Sequence, residues 1–201
     1  MNQKQVWNNL AKEWHDFKTK KKKTDHDVFY FLKKQQGKVL DLGSGSGRYL
    51  SKIKNGQMYL VDFSKEMIKF AKEISKKEKI KAEFLVNDIS KLEFKDNFFD
   101  AAICIASLHC VKTKTKRRKA VKELYRVLKP KAKAMVSVWN KDTKRFKNSP
   151  KERFVRWLDK GSRYYYLYNP EEIYKEFTEA GFKIIKKEMT GRNITFFVQK
   201  H

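Results

Sequence analysis

The chain has 201 residues, which suits one domain, and 40% hydrophobic with 14% aromatic residues excludes a disordered composition. Its formal charge of +25, from 48 basic against 23 acidic residues, favours polyanionic partners over cationic ones. The leading candidate for such a partner is nucleic acid, and the alternative is an anionic membrane surface. Because compositional drift also raises the lysine content, clusters of basic residues are better evidence than the total net charge.

Hydrophobic periodicity predicts strands and helices in alternation after a helical start. Val6–Phe17 and Thr24–Gln35 have helical spacing, and we define residues 1–36 as an N-terminal helical cap. The next predicted elements are a strand over Lys38–Leu42, a short helix over Tyr49–Lys54, a strand over Met58–Val61, a helix capped by Ser64, strands over Ala82–Val86 and Phe99–Ile105, a helix over Lys116–Leu128 stopped by Pro130, and a strand over Ala134–Trp139.

The alternation breaks at residues 140–168, a charged and aromatic segment that we interpret as an insertion on the substrate side. A helix over Pro170–Ala180 follows, and Phe182–Glu188 and Asn193–Gln199 are predicted as a final antiparallel pair. Strands that alternate with helices imply a parallel sheet with helices on both faces.

A glycine triplet follows the first predicted strand in the run V-L-D-L-G-S-G-S-G. The dinucleotide-binding fingerprint requires a glycine at its sixth position, where this chain has Arg48. Gly43, Gly45 and Gly47 instead allow the backbone to approach a ligand where a Cβ atom would collide. A tight turn without a ligand is the alternative for the triplet alone.

Three acidic residues stand at the ends of the first three predicted strands. Asp41 can bind an ammonium group, Asp62 can accept hydrogen bonds from ribose hydroxyls, and Asp88 can bind an adenine amino group with Ile89 packed on the ring. Each acid alone could cap a helix or a turn. Together they predict a nucleoside site, because the carboxyl ends of parallel strands face one crevice.

The glycine triplet, the acids and the strand pattern resemble the class I S-adenosylmethionine-dependent methyltransferases. The resemblance implies an α/β Rossmann-like fold over residues 1–201, with a seven-stranded, mostly parallel sheet in the order 3-2-1-4-5-7-6, the last strand antiparallel, and S-adenosylmethionine as cofactor. The residues expected to bind the cofactor are Asp41, Gly43, Ser44, Gly45, Gly47, Asp62, Phe63, Ser64, Asp88, Ile89, Ile105 and Trp14.

The run I-A-S-L-H-C that begins at Ile105 resembles the tRNA wobble-uridine methyltransferases, as do Trp7–Phe17, F-V-R-W at 154–157 and R-Y-Y-Y-L-Y at 163–168. That family esterifies the carboxymethyl group of a modified uridine at the first anticodon position. The chain departs from the family pattern at some positions, with lysine for arginine, cysteine and tyrosine for histidine, and arginine for proline. The resemblance implies catalytic or substrate-binding roles for His109, Arg163, Tyr165 and Lys18, and Arg163 suits bidentate binding of a carboxylate.

Three clusters of basic residues, at 18–23, 112–119 and 141–156, are expected to flank the mouth of the cofactor site and to follow RNA phosphates. A solvated face is the ordinary alternative for a run of charge. The residues expected to bind RNA are Lys20, Lys21, Lys22, Lys23, Arg117, Arg118, Lys144, Arg145, Arg156 and Trp157.

The resemblance also implies a small zinc-binding activator protein that pairs with the edge strand Ala82–Val86, although the chain's own termini could cover that edge. The chain has two cysteines, Cys104 and Cys110, and no C-x-x-C pair, which disfavours a structural zinc site within the chain. So few cysteines suit a reducing compartment, in which disulfides do not persist. With no apolar leader at the start, a cytoplasmic location is expected.

Two other functions remain open from the sequence. The first is methylation of a small molecule such as a quinone, since those enzymes share the same cofactor motifs. The second is a non-catalytic RNA-binding subunit on the same scaffold. An Asn/Asp-Pro-Pro-Tyr motif is missing after the fourth strand, which disfavours methylation of an adenine or glutamine nitrogen.

Overall fold

The computed structural model describes residues 2–19 and 25–201. Among these residues, no helix is long and apolar enough to span a bilayer. The elements are α1 (Gln3–Asn9), α2 (Ala11–Thr19), α3 (His26–Lys33), β1 (Gln36–Leu42), β2 (Lys54–Asp62), α4 (Lys65–Glu78), β3 (Ala82–Val86), β4 (Phe99–Ile105), a 3₁₀ turn (Leu108–Cys110), α5 (Lys114–Val127), β5 (Leu128–Trp139), β6 (Glu152–Arg156), β7 (Ser162–Tyr166), α6 (Pro170–Glu179), β8 (Phe182–Thr190) and β9 (Asn193–Lys200).

Seven strands form one sheet in the order β3-β2-β1-β4-β5-β9-β8. The first five run parallel, and β9 is antiparallel to both β5 and β8. Strands β6 and β7 form a separate antiparallel hairpin. With that hairpin left out of the count, the predicted order and the antiparallel last strand are confirmed, and β3 is an edge strand that pairs with β2.

The sheet is covered by helices on both faces. On β4, Ala102 and Cys104 pack into the layer that contains α5 and α6, whereas Ala101 and Ile103 pack into the layer that contains α3. Alternate residues of a strand point to opposite faces, so a strand buried on both faces has a nearly continuous apolar sequence. Each large apolar side chain buried in this way contributes about 1.5–3 kcal/mol.

The helix predicted over Val6–Phe17 is two helices, α1 and α2, which meet at Leu10. Asparagines at the end of α1 favour the helix poorly, and Asn8 accepts a hydrogen bond from the Ser64 hydroxyl at 2.7 Å. The break brings the rings of Trp7 and Trp14 edge to face at 5.3 Å. The second predicted helix begins at His26 with Asp25 as its N-cap, and Thr24 lies outside the described residues.

The short helix predicted over Tyr49–Lys54 is wrong. All three loop glycines have a positive φ, and the turns of the loop continue to Tyr49. Strand β2 begins at Lys54, five residues after Tyr49. Too few residues remain for a helix between the loop and the strand.

Strand β5 begins at Leu128, directly after α5, and therefore contains Pro130. The register with β4 shifts between Phe99 and Ala101, so the proline lies in an irregular part of the ladder where its missing N–H costs little. The hairpin β6–β7 was not predicted, because charged and aromatic residues obscured any alternation in the insertion.

Candidate active site

A cavity of about 700 Å³ opens at the carboxyl ends of the first four strands. Helices α1 and α2 form its outer wall and the glycine loop forms its floor. Its lining combines apolar and polar groups in the manner of a ligand site. The lining residues include Gln3, Lys4, Trp7, Trp14, Lys18, Ser44, Gly45, Arg48, Tyr49, Asp62, Phe63, Met67, Asp88, Ile89, Ile105, Ser107, Cys110, Lys112 and Lys116.

The three glycines of the loop serve different purposes. A Cβ atom on Gly43 would lie 2.4 Å from the Cβ of Ser107, and one on Gly47 would lie 3.0 Å from the Cβ of Ala71. A Cβ atom on Gly45 would meet nothing within 4 Å. Gly43 and Gly47 are therefore needed for packing of the loop against the protein, and Gly45 leaves room on the side that faces the cavity.

Asp62 both binds the glycine loop and lines the cavity. Its two carboxylate oxygens accept backbone hydrogen bonds from Gly45 and Ser64, both at 2.9 Å. Burial raises its pKa to about 6, although the two backbone hydrogen bonds oppose that rise. Ser64 caps α4 through Met67 and does not line the cavity.

Asp41 lies beneath the loop, where it is 1% exposed. Its Oδ2 atom is buried without a hydrogen-bond partner. Burial, with the nearby charge of Asp62, raises the pKa of Asp41 to about 8. A cationic group placed close to this pair would lower both pKa values.

Asp88 lines the cavity at the end of β3, with Ile89 beside it. Burial acts to raise its pKa, but hydrogen bonds from Ser90 and the ammonium of Lys116, 3.2 Å away, hold the pKa below its ordinary value. Asp88 is therefore ionised at neutral pH, in contrast to Asp41.

Of the other predicted cofactor residues, Ser44, Phe63, Ile105 and Trp14 line the cavity, and so does Lys18. The sequence prediction missed Ser107, whose hydroxyl donates to the Gly43 carbonyl at 2.6 Å. Its position just beyond β4, at the same edge of the sheet as the acids, was the signal that could have identified it.

Arg163 on β7 lies immediately behind the wall of the cavity and is 5% exposed. Its guanidinium carbon is 4.4 Å from the ring centroid of Trp157, 5.1 Å from Trp14, 5.3 Å from Tyr165 and 5.9 Å from Trp7. We call these four rings and Arg163 the arginine cage. Of these residues, Trp7 and Trp14 line the cavity, whereas Arg163 does not.

The arginine cage lacks a negative charge. Arg163 takes part in none of the ion pairs among the described residues, and its buried Nε has no hydrogen-bond partner. A buried cation without a counter-ion is costly. The cage is therefore suited to bind an anion that enters from the cavity.

His109 and Tyr165 lie deeper than expected and do not line the cavity. Tyr165 stacks on Trp139 at 4.3 Å, and the His109 Nδ1 atom accepts the Trp139 backbone N–H at 3.0 Å. Burial, with the positive charges of Lys18 and Arg192, lowers the His109 pKa to about 3. His109 is thus a neutral core histidine, which differs from the expected contact with substrate.

Arg117, which the sequence predicted as an RNA contact, is buried in this structure. Arg117 is 2% exposed, its guanidinium lies 3.7 Å from the Tyr166 ring centroid, and it donates to the Val111 carbonyl and the Tyr164 hydroxyl. Every third or fourth residue of an amphipathic helix faces the core, and Arg117 occupies such a position on α5, next to the buried Ala120 and Val121.

The other predicted RNA contacts fall into three groups. Trp157 is half-buried against Trp14 and Phe17, so its ring belongs to the arginine cage. Lys20, Lys21, Lys22 and Lys23 lie outside the described residues. The exposed residues are Arg118, Lys144, Arg145 and Arg156.

Comparison with protein families matches residues 40–136 to the model of a methyltransferase domain. The matched segment runs from β1 to β5 and so contains the glycine loop and the three acids.

Curated proteins with similar sequences include one named a tRNA methyltransferase and one named a probable tRNA methyltransferase. The tRNA (carboxymethyluridine(34)-5-O)-methyltransferase of Arabidopsis thaliana is 37% identical over 101 residues, which are 50% of this chain and 24% of that protein. The human protein named probable tRNA methyltransferase 9B is 33% identical over 134 residues, 65% of this chain and 28% of that protein. The chain spans about a quarter of the length of these relatives.

Two solved structures have the same fold at low sequence identity. The complex between the Haloferax volcanii Trm112 methyltransferase activator and its methyltransferase partner contains a chain that matches with a TM-score of 0.77 and 16% identity, covering 96% of this chain and 97% of that chain. A protein from Pyrococcus horikoshii matches with a TM-score of 0.73 and 22% identity, covering 91% of each chain.

Proposed function

The chain has the class I methyltransferase fold and carries a methyltransferase domain over residues 40–136, and from that premise we propose that it transfers a methyl group from S-adenosylmethionine to tRNA. The acceptor that we propose is the carboxymethyl group of a modified uridine at the wobble position. The observation that carries this choice of acceptor is the arginine cage, a buried cation beside the cavity that forms no ion pair with any residue that the structure describes.

The cavity fits the cofactor on three counts. Open space at Gly45 leaves room for the ligand at the floor, Asp62 and the ionised Asp88 present carboxylates to hydroxyl and amino groups, and the buried Asp41 has an oxygen without a partner. We assign the ribose to Asp62, the adenine to Asp88 and Ile89, and the amino-acid end to the side of Asp41. Bound S-adenosylmethionine supplies an electrophilic methyl group on a sulfonium.

Esterification requires no strong base, because a carboxylate is already a nucleophile at neutral pH. The protein has to hold that carboxylate in line with the methyl group and to exclude water. Arg163 suits the holding task, since a guanidinium binds both oxygens of a carboxylate. The low pKa of His109 agrees with this chemistry, because no general base is needed at that position.

The cysteines argue against attack on a pyrimidine ring. Burial raises the pKa of Cys104 to about 12, and burial also raises the pKa of Cys110, so both thiols stay protonated at neutral pH. The thiolate is the nucleophilic form of cysteine. Methylation at the C5 carbon, which requires a cysteine nucleophile, is therefore disfavoured relative to methylation of a carboxylate.

RNA as the carrier of the acceptor is supported by charge and by the relatives. The net charge is +25, and Lys112, Lys116 and Lys18 line the cavity itself. Such a surface binds phosphates and would bind tRNA in a salt-dependent manner. A neutral quinone would gain nothing from this charge.

We also propose a small activator protein that pairs with β3. This strand is an edge, and its Val86 is 48% exposed. An edge strand with apolar side chains can accept a strand from another chain. The Haloferax volcanii complex, in which a chain of the same fold is bound to the Trm112 activator, supports the proposal. A monodisperse and active protein after expression of the chain alone would argue that the activator is not obligatory.

The decisive experiment measures transfer of tritium from methyl-labelled S-adenosylmethionine to total tRNA, with and without co-expressed activator, followed by nucleoside analysis. We expect label in the wobble nucleoside that mild base releases as volatile methanol, because only an ester methyl is lost in this way. Base-stable label would reject the carboxylate acceptor but keep tRNA methylation. Absence of label in tRNA under both conditions would reject the function, and label in a quinone extract would favour the small-molecule alternative.

A further inference from the structure

Phe154 projects from the hairpin into solvent. On β6 the exposed residues alternate, and Phe154 lies between Glu152 and Arg156 with 59% of its surface exposed. Its cross-strand neighbour Tyr164 is fully buried. A large apolar side chain between two charged residues on the exposed face of a strand calls for an explanation when it lies near a ligand site.

The Phe154 ring is held on one side and open on the other. Its edge contact with Tyr164 has a centroid distance of 5.6 Å and an interplanar angle of 66°. The Lys112 ammonium lies 5.9 Å from the ring centroid, and Lys112 also lines the cavity. The ring is thus an exposed aromatic surface beside a cation that lines the cavity, and Arg156 follows two residues later on the same exposed face of β6.

We propose that Phe154 stacks on an unpaired base next to the nucleotide that enters the cavity. This inference rests on the proposed function, since it requires an RNA substrate. Stacking on an aromatic side chain tolerates any base, and flanking cations bind the adjoining phosphates. The platform would hold the loop of the RNA while its neighbouring base is turned out of the stack and into the cavity.

The test uses the 201-residue chain and an anticodon stem-loop RNA that carries 2-aminopurine on either side of the wobble uridine. Phe154→Leu keeps an apolar cover over Tyr164 but removes the aromatic face, and Phe154→Trp restores one. Tyr30→Leu is the matched control: Tyr30 is 63% exposed and has the Lys34 ammonium 4.0 Å from its ring centroid. Lys34, in contrast to Lys112, does not line the cavity.

We expect wild type, Phe154→Trp and Tyr30→Leu to quench the fluorescence of one labelled position and Phe154→Leu to lose that quenching. RNA affinity of Phe154→Leu should fall about tenfold, with cofactor affinity unchanged. Equal quenching and affinity in Phe154→Leu and wild type would overturn the inference while leaving the methylation assay positive. Lower activity of Phe154→Leu with unchanged RNA binding would overturn it too, since the ring would then serve another partner. If wild type neither binds the stem-loop nor methylates tRNA, the proposed function fails first.

Discussion

The two sides of the cavity are built differently. On the floor, backbone atoms do most of the holding: the N–H groups of Gly43 and Ser44 both donate to the Val61 carbonyl, and Asp62 binds two further backbone N–H groups. On the opposite side, the arginine cage is assembled from side chains of α1, α2, β7 and the hairpin turn.

This difference explains why one kind of site can be recognised in a sequence and the other cannot. A backbone-held loop needs glycines and acids at fixed short spacing, so its motif is visible in one run of residues. A cage of side chains needs only that distant residues meet, and Trp14 and Trp157 meet although 143 residues separate them. A side chain added at one glycine is expected to disrupt the first kind of site, and loss of one charged side chain is expected to disrupt the second.

The largest expected effect is that of Gly45→Leu, which should abolish cofactor binding because the new side chain fills the cavity. Gly191→Leu is its matched control, since φ is +57° at Gly191 and +55° at Gly45 and neither position has a neighbour within 4 Å. Each change costs about 1–2 kcal/mol of backbone strain. Calorimetric titration with S-adenosylmethionine should separate the two variants, and equal binding would show that Gly45 does not face the cofactor.

Arg163→Ala should reduce methyl transfer to tRNA about a hundredfold or more while cofactor affinity survives. The reason is that the cage then lacks the cation that holds the carboxylate. Arg163→Lys should be intermediate, because an ammonium keeps the charge but lacks the planar fork. Arg153→Ala, on the same hairpin with its guanidinium bonded to Ser149, should retain activity. Loss of cofactor binding in Arg163→Ala would contradict the assigned position of this residue.

Asp41, beneath the floor, and His109, next to the cage residue Tyr165, should respond to pH in opposite directions. The Asp41 pKa is about 8 in the folded protein against 3.8 ordinarily, so its contribution to stability is present below pH 3.8 and is lost as the pH rises through 8. The His109 pKa is about 3 against 6.5 ordinarily, so its contribution is present above pH 6.5 and is lost as the pH falls through 3. Each unit of pKa difference corresponds to about 1.4 kcal/mol.

Chemical denaturation of the cofactor-free protein over this pH range measures both arms. Asp41→Asn should flatten the loss of stability between pH 4 and 8, and His109→Gln should flatten the loss between pH 6.5 and 3. An unchanged upper arm in Asp41→Asn would assign that arm to another group, with Asp62 next in order because its pKa is raised to about 6.

The smallest effects come from neighbouring arginines on α5. Arg117→Gln should lower the free energy of unfolding by about 2 kcal/mol, because it leaves buried acceptors without their donor. Arg118→Gln should change stability by less than about 1 kcal/mol, since its ion pair with Glu179 is exposed. In a salt titration of RNA binding, only Arg118→Gln should reduce the slope, by about one unit. The reverse pattern would restore Arg117 as an RNA contact.

Much of the floor was predictable from the sequence and much of the cage was not. The resemblance to the class I methyltransferases predicted the sheet order, and the glycines and acids from Gly43 to Asp88 predicted much of the lining of the floor. The helix predicted over Tyr49–Lys54 does not form, because the turns of the glycine loop continue to Tyr49. Hydrophobic periodicity does not detect such turns. Arg117 and Arg118 are identical in type and adjacent, and only the direction in which α5 packs distinguishes the buried one from the exposed one.

Trp14 belongs to both halves of the site, since it lines the cavity on one side and packs against Arg163 on the other. Any outward movement of α2 that admits or releases a ligand at the floor therefore also dismantles the surroundings of Arg163. The wall formed by α2 could then either open for ligand exchange or keep the surroundings of Arg163 in place to bind an anion, but not both at once. If α2 moves in this way during turnover, ligand exchange and anion binding would alternate, and the rate at which α2 returns would set a ceiling on turnover.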